Sequence, residues 1–449
     1  MNPDLVVAEI GSTITKVNVF GGLGGDHPVH LGQGISLTTV DTDVTVGYRQ
    51  ALADLRRRYG SGMDEPAMLI ANSSAAGGLK MTVHGLTQDM TARAAKEAGL
   101  GAGAVIKYIT SGRITPRDCR SIQTIQPNLI LLSGGVDYGE SQIVLDNARS
   151  LRELDLPVPL LYAGNHALQE EIRDIMQGSG LQLYLCDNVF PSIDNFNIAP
   201  AKHIIQQIFS RHIIHAKGMG KLQDLCRHPI IPTPLAVLNI TEALSRFGLE
   251  DILVIDVGGA TTDVHSVTDG DPRNQAFLAA PEPRTKRTVE GDLGVYINAE
   301  NIKSLWDDAQ DDTSQDYDLT YLNPLPQSER EVYLSRRLTQ KAVRIAVKRH
   351  AGSFLSSFSL SDTQKVVSGK DLSAIKYMVG TGGALVRLEN GKTILDSIRV
   401  RRIRKILLPL EQAQSYIDTH YVFSACGSLL AVDEAAAVRL AKASIGLAD

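Results

Sequence analysis

Cysteine is scarce in this chain of 449 residues: Cys119, Cys186, Cys226 and Cys426 are scattered, with no C-x-x-C pair and no metal-ligand spacing. The scatter argues against a disulfide framework and against a structural zinc or iron–sulfur centre. Long apolar runs are missing too. None reaches the roughly 20 residues needed to cross a bilayer, so no membrane partner is expected. Basic charge is in deficit, with 45 Lys and Arg against 50 Asp and Glu for a net charge of −5. That balance argues against a nucleic-acid partner held through a broadly basic surface. The cluster Arg399, Arg401, Arg402, Arg404 and Lys405 fits a solvated face instead. The opening MNPDLVVAEIGS has neither the basic region nor the cleavage site of a signal peptide, and a cytoplasmic location is expected.

Present instead is ordinary globular composition, 43% hydrophobic and 21% charged, in a length that suits two or three domains. Apolar β-rich runs alternate with helical periodicity, which predicts an α/β fold. The patterns predict strands over 5–9, 15–20, 67–71, 129–132, 158–163, 181–186 and 252–256. They predict helices over 90–100, 142–152, 167–177, 201–212, 336–350 and 429–445. Glycine doublets such as Gly134-Gly135, Gly258-Gly259 and Gly382-Gly383 mostly follow strands, where ligand loops of α/β proteins sit. One stretch, WDDAQDDTSQDYDLT at 306–320, carries six aspartates and no base. It lacks the glycine and closing glutamate of a calcium loop and reads as a solvated connection.

Two distant segments repeat one plan. LVVAEIGSTITKVNVF at 5–20 and ILVIDVGGATTDVHSV at 252–267 each run from an apolar strand through an acid and a small-residue turn into a second strand. With Glu9 set on Asp256, Gly11 matches Gly258, Thr13 matches Ala260 and Lys16 matches Asp263. Two such hairpins predict two related lobes facing one cleft.

Glycine lets a hairpin tip bring its free backbone N–H groups close to a ligand. At Gly11, Gly258, Gly259 and Ala260, backed by the hydroxyls of Ser12, Thr13, Thr15, Thr261 and Thr262, such tips suit phosphate oxygens. Carboxylates beside a phosphate make sense around a divalent ion, most simply Mg²⁺ held through its waters. Glu9, Asp256 and Asp263 are the candidate ligands, and Lys16 could neutralise a phosphate. An ordinary Gly-containing β-turn explains either hairpin alone; the pair favours a nucleotide. A third motif, Gly380-Thr381-Gly382-Gly383, follows a strand-like run, and its glycines would let backbone lie against adenine or ribose.

The order of these motifs resembles the actin-like ATPase superfamily, which includes sugar kinases, heat-shock chaperone ATPases and actin. The resemblance implies two ribonuclease-H-like lobes with ATP and Mg²⁺ in the cleft between them. Asp256 and Asp263 match by spacing the two aspartates of the chaperones' D-x-G-G-G-T-x-D pattern, which implies that they are the catalytic pair placing metal and attacking water. VEGDLGV at 289–295 is similar to the segment that follows in those proteins. Glu9 stands where aspartate is usual and Ala260 where a third glycine is usual; both departures bear on turnover.

EIGSTITK, SSAAGGLKM, LLSGGVDYGE, VIDVGGATTDVHSV, RTVEGDLGV and VGTGGALV together resemble the GlmL/MutL family over nearly the whole chain. That resemblance implies a chaperone-like or reactivase-like accessory ATPase whose partner is a subunit of an adenosylcobalamin-dependent mutase such as glutamate mutase. A homo-oligomer is compatible with that role. The implied organisation is lobe I over 1–250 with the first hairpin and a family-specific α/β insertion, lobe II over 251–400, and a segment 401–449 returning to lobe I. Two alternatives stand beside it: a small-molecule kinase of the same superfamily, with Asp256 as base, and a nucleotide-bound scaffold with negligible turnover. SSAAGGLKM, from Ser73 to Met81, suits close packing as well as a loop beside the nucleotide or a partner. His265 reads as an ordinary strand histidine.

Overall fold

The computed structural model describes residues 3–60, 68–75, 79–193, 195–213, 217–305, 318–358 and 363–447. The chain opens on an antiparallel meander of β1 (Leu5–Ile10), β2 (Ile14–Gly21) and β3 (Val29–Leu37). All six residues of β1, LVVAEI, are buried, as expected of a central strand covered on both faces. The helix Val44–Tyr59 starts where the Asp43 carboxylate accepts from the Thr45 amide, and β4 (Met68–Ser73) then lies parallel to β1.

Residues 76–215 form a separate compact unit. Its strands are β5 (Lys80–Gly85), β6 (Val105–Ser111), β7 (Leu129–Leu132), β8 (Pro159–Tyr162) and β9 (Gln182–Leu185). They form one parallel sheet in the order β6-β5-β7-β8-β9, with a core built on Ile130, Leu132, Leu160 and Tyr162. The expected helix over 90–100 begins as a π turn, Gln88–Ala92, and continues as Arg93–Gly101. The SSAAGGLKM motif straddles the edge of this unit, with 76–78 outside the described residues.

The remainder, 216–449, belongs to the same compact unit as 1–75. Short β10 (Ile231–Pro232) joins β4, and the helix Thr233–Arg246 follows. A second antiparallel meander comprises β11 (Ile252–Val257), β12 (Thr262–Val267) and β13 (Thr285–Glu290). After a two-stranded ribbon, β14 (Ser353–Phe358) with β15 (Thr363–Ser368), come β16 (Tyr377–Thr381), parallel to β11, and β17 (Gln414–Ile417), parallel to β16. The two sheets therefore share one topology, β10-β4-β1-β2-β3 and β13-β12-β11-β16-β17. The echo in sequence is an echo in strand order and direction. An α/β fold with two such sheets is consistent with the actin-like ATPase superfamily.

One core joins the two sheets: Leu5, Val7 and Phe20 pack in the same cluster as Ile252, Val254, Val267 and Val379. Helices Thr233–Arg246, Phe423–Leu429 and Glu434–Ser444 contribute to it. Side chains alternate across a strand, so Leu253, Ile255 and Val264 face the other way, onto the helix Glu329–His350. The helix expected over 429–445 starts later, as Glu434–Ser444, because the Asp433 carboxylate accepts from the Ala436 amide and caps it; Leu429 ends a separate helix, Phe423–Leu429. Most of the acidic stretch, 306–317, lies outside the described residues. Among the described residues no helix is long and apolar enough to cross a membrane.

Candidate functional site

The two hairpins superimpose in register as well as in sequence. Glu9 sits opposite Lys16 in the β1–β2 ladder, and Asp256 opposite Asp263 in the β11–β12 ladder. Each tip closes on the same bond: the Gly11 amide donates to Ile14 O at 3.0 Å, the Gly258 amide to Thr261 O at 2.9 Å. A Cβ on Gly11 would lie 2.5 Å from that Ile14 oxygen, so the position requires glycine. Period-two alternation puts Glu9 and Lys16 on the face bearing Leu5 and Val7, and Asp256 and Asp263 on the face bearing Ile252 and Val254. Both charged rows thus turn toward the shared core, at its hairpin end.

The tips touch. A Cβ on Gly259 would come within 2.9 Å of Thr13 Cγ2. The second tip is braced from behind: amides of Val295, Tyr296 and Ile297 donate to the carbonyls of Gly258 and Gly259, and Asn298 Nδ2 donates to Ala260 O at 2.7 Å. Gly294 passes so close that a Cβ there would lie 2.2 Å from the Ala260 carbonyl carbon. This contact gives GDLG its second glycine. With the carbonyls taken, no hydrogen bond among the described residues occupies the amides of Ser12, Thr13, Gly259 or Ala260.

The hydroxyls divide. Ser12 Oγ donates to Ser74 O at 3.2 Å, and Thr261 Oγ1 to Asp263 Oδ2 at 3.0 Å. Thr15 and Thr262 occupy equivalent ladder positions and turn away from the acids, Thr15 onto Thr38 and Thr262 onto Leu293 O. The glycine motif also has inward and outward members. Gly382, at φ 86°, runs past Asp256, whose Oδ1 a Cβ would meet at 2.5 Å. Gly380 packs on Ile417, while Thr381 Oγ1 donates to buried Asp418 at 2.8 Å. Gly383 opens the short helix Gly383–Val386 beside Tyr421.

The charges are mostly paired. Lys16, 1% exposed, places Nζ 2.9 Å from Glu9 Oε2 and 3.0 Å from Tyr421 O, and 3.1 Å from the Tyr421 ring centroid. Ser424 Oγ also donates to Glu9. Asp263 is held by Arg287, itself 1% exposed, through Nη2 at 2.6 Å and Nε at 3.0 Å. Asp256 differs. Burial, then the neighbouring Asp263 and Glu9 carboxylates, raise its pKa to about 7, with Lys16 only partly offsetting them. Tyr421 is pushed well above its ordinary value by burial and then by the Glu9 and Asp256 carboxylates.

Among the described residues no three His, Cys, Asp or Glu side chains form a ready cage for a metal. The set fits a different mode. A carboxyl kept protonated by burial and by its neighbours' negative charge is one that a cation would ionise. Glu9 and Asp263 already have partners, so they suit the outer shell of a hydrated ion better than its first. Arg287, Asp418, Tyr421 and Ser424 were invisible as site residues in the sequence, although Arg287 begins the RTVEGDLGV motif.

Among solved structures the chain is similar to nucleotide-free acetone carboxylase, at 14% identity and TM-score 0.43 over 95% of this chain and 70% of that one. It is similar to a glycerol dehydratase reactivase at 10% identity and TM-score 0.37, over 96% and 99% of the two chains. Protein MutL of Clostridium tetanomorphum is 33% identical over 446 residues, which cover 95% of this chain and 96% of the relative. The MutL protein family matches residues 5–445, and the chain belongs to that family.

Proposed function

We propose that this chain is an ATP-binding, ATP-hydrolysing accessory protein of the chaperone or reactivase kind, serving an adenosylcobalamin-dependent mutase such as glutamate mutase. The observation that carries the ATP half is the contact of two equivalent hairpin tips, Thr13 against Gly259, with free amides on both and a carboxylate, Glu9 or Asp256, at the equivalent place behind each. In this reading the two matching sheets are ribonuclease-H-like lobes. The first, with the insertion, falls within 1–250 and the second within 251–400; 401–449 begins by adding β17 to the second sheet and returns helices to the first.

The amides of Ser12, Thr13, Gly259 and Ala260 would hold phosphate oxygens from two sides, and Gly382-Gly383 would let the nucleoside lie against backbone. Mg²⁺, when bound, would neutralise phosphate charge, with Asp256 nearest and Glu9 and Asp263 reaching it through water. Asp256, ionised once a cation is beside it, would orient the attacking water and accept its proton. Nucleotide-driven change between the lobes would alter affinity for a mutase subunit. Affinity capture from the host with ATP or ADP present tests the partner: a cobalamin enzyme held in one nucleotide state is expected, and its absence in both overturns the role. Mg²⁺-dependent hydrolysis that disappears in Asp256→Ala tests the chemistry.

One observation favours a second reading, a nucleotide-bound scaffold that scarcely turns over. Asp263 is already neutralised by Arg287, and Lys16 by Glu9, so two of the charges a fast ATPase would deploy are committed. Hydrolysis no faster than in Asp256→Ala, with nucleotide still bound, would decide for the scaffold.

A further inference from the structure

A cavity of about 360 Å³ opens on the far side of β4, between the helix Thr233–Arg246 and residues 427–434. Ile70, Ile231 and Leu430 supply apolar wall. Its charged groups are unequal in their partners. Arg246 Nη2 lies 2.5 Å from Glu434 Oε1, which balances both. Glu242, one helical turn before Arg246 and half-buried in the same wall, has no hydrogen bond or ion pair among the described residues. The lining, which also holds His228 and Asn239, therefore carries one carboxylate with no hydrogen bond or ion pair among the described residues, beside aliphatic surface. A lysine or arginine side chain matches that pattern, because its methylene stem covers apolar wall while its head reaches a carboxylate.

The cavity also connects to the nucleotide hairpin. Ser428, in its wall, accepts from Asn72 Nδ2 at 2.9 Å and donates to Ser424 O at 3.1 Å. Asn72 neighbours Glu9 across the β4–β1 ladder, and Ser424 Oγ donates to the Glu9 carboxylate. The helix Phe423–Leu429 that carries Ser424 and Ser428 is seated with little slack: a Cβ on Gly427 would lie 1.8 Å from Ala236 O. These contacts tie Glu9 to a closely packed helix that is also a wall of the cavity, which gives a shift at Glu9 a route to it.

We infer that this cavity is the docking site for a basic, aliphatic segment of a partner protein, and that the helix Phe423–Leu429 couples its occupancy to the nucleotide site. The coupling rests on the ATP-binding reading; the docking stands without it.

The test uses the full-length chain and a fluorescein-labelled peptide of alternating leucine and lysine, with a leucine–glutamate peptide as control, followed by fluorescence anisotropy. The basic peptide is expected to bind the wild type and to bind Glu242→Gln at least about tenfold more weakly, as loss of a charge-assisted contact requires. Ala431→Trp, at an exposed position on the rim, should block it comparably. Equal binding by wild type and both variants, preference for the acidic peptide, or no binding of the basic one overturns the docking. Calorimetric titration with ATP is run on the same samples. If ATP binds and leaves peptide affinity unchanged, the coupling is wrong; if ATP does not bind, the nucleotide reading fails while the docking result stands on its own.

Discussion

Arg287 and Asp263 form a closed pair: two guanidinium nitrogens, at 2.6 and 3.0 Å, converge on a single carboxylate oxygen, with both side chains almost wholly shut from solvent. The other oxygen accepts from Thr261. Removing one member leaves its partner charged and buried, which costs about 3–5 kcal/mol. Arg287→Met should lower stability by that order in urea unfolding. Adding Asp263→Asn should recover much of the loss, because the uncompensated charge goes with it. If the double variant is as unstable as the single, the pair is not the unit described.

Asp256 gives the site a pH dependence of definite sign. In the folded chain it keeps its proton up to about pH 7, whereas an ordinary aspartate loses it near 3.8. Between those values the folded state holds the extra proton, so stability falls as pH rises from about 4 to 7 and then levels. Asp256→Asn cannot ionise and should escape that fall. Thermal unfolding at pH 4 and pH 8 checks it: the variant's advantage is expected at pH 8 and should vanish at pH 4. Adding Mg²⁺ with ADP should shrink the advantage at pH 8, since a cation favours the ionised carboxylate.

Much of the frame was legible because it is local. Apolar runs ending in an acid and glycines gave both hairpins, and equal spacing gave their equal register, Glu9 on Lys16 and Asp256 on Asp263. What was not legible arrives from far along the chain. Tyr421 and Ser424 reach Lys16 and Glu9 across about four hundred residues, and no spacing rule links them. Arg287 was hidden differently. In TKRTVE it alternates with Lys286 and looks like one more charge on a solvated edge, yet its register opposite His265 turns it inward. Periodicity assigns a strand's faces without saying which is covered. The late start of the last helix, at Glu434 and not Leu429, was missed because the apolar pattern begins earlier, while a single cap at Asp433 decides the helix start.

Thr381 tests whether every member of the GTGG motif serves a ligand. Its hydroxyl is spent on Asp418, a fully buried carboxylate that also accepts from the amides of Val422 and Phe423 and from Ser444. Thr381→Val should therefore cost about 1–3 kcal/mol of stability, the penalty for an acceptor losing one buried donor. Nucleotide affinity, measured by calorimetry under conditions where the variant is folded, should stay within about twofold. A large loss of affinity with little loss of stability would move Thr381 from scaffold to ligand contact.

The second tip meets Thr13 at Gly259 and Gly294 at Ala260, and alanine variants of the two glycines should differ for a geometric reason. A Cβ on Gly259 meets both branches of the Thr13 side chain, Cγ2 at 2.9 Å and Oγ1 at 3.0 Å, and the contact is relieved if the two tips part slightly. A Cβ on Gly294 meets backbone, the carbonyl carbon of Ala260 at 2.2 Å and its oxygen at 2.3 Å, and nothing there can turn aside. Relief requires the tip or the segment after β13 to move as a whole, and the Val295, Tyr296 and Ile297 amides that fix the tip would move with it. Gly294→Ala should therefore lose about 1–3 kcal/mol of stability, as overpacked positions do, together with most nucleotide affinity. Gly259→Ala should remain close to wild type in stability and lose affinity more mildly, by about tenfold, through spreading of the two tips. Paired measurements of unfolding and ATP binding read both quantities. The reverse ranking would mean that the tip is positioned by its partner hairpin at Thr13 and not by the brace behind it.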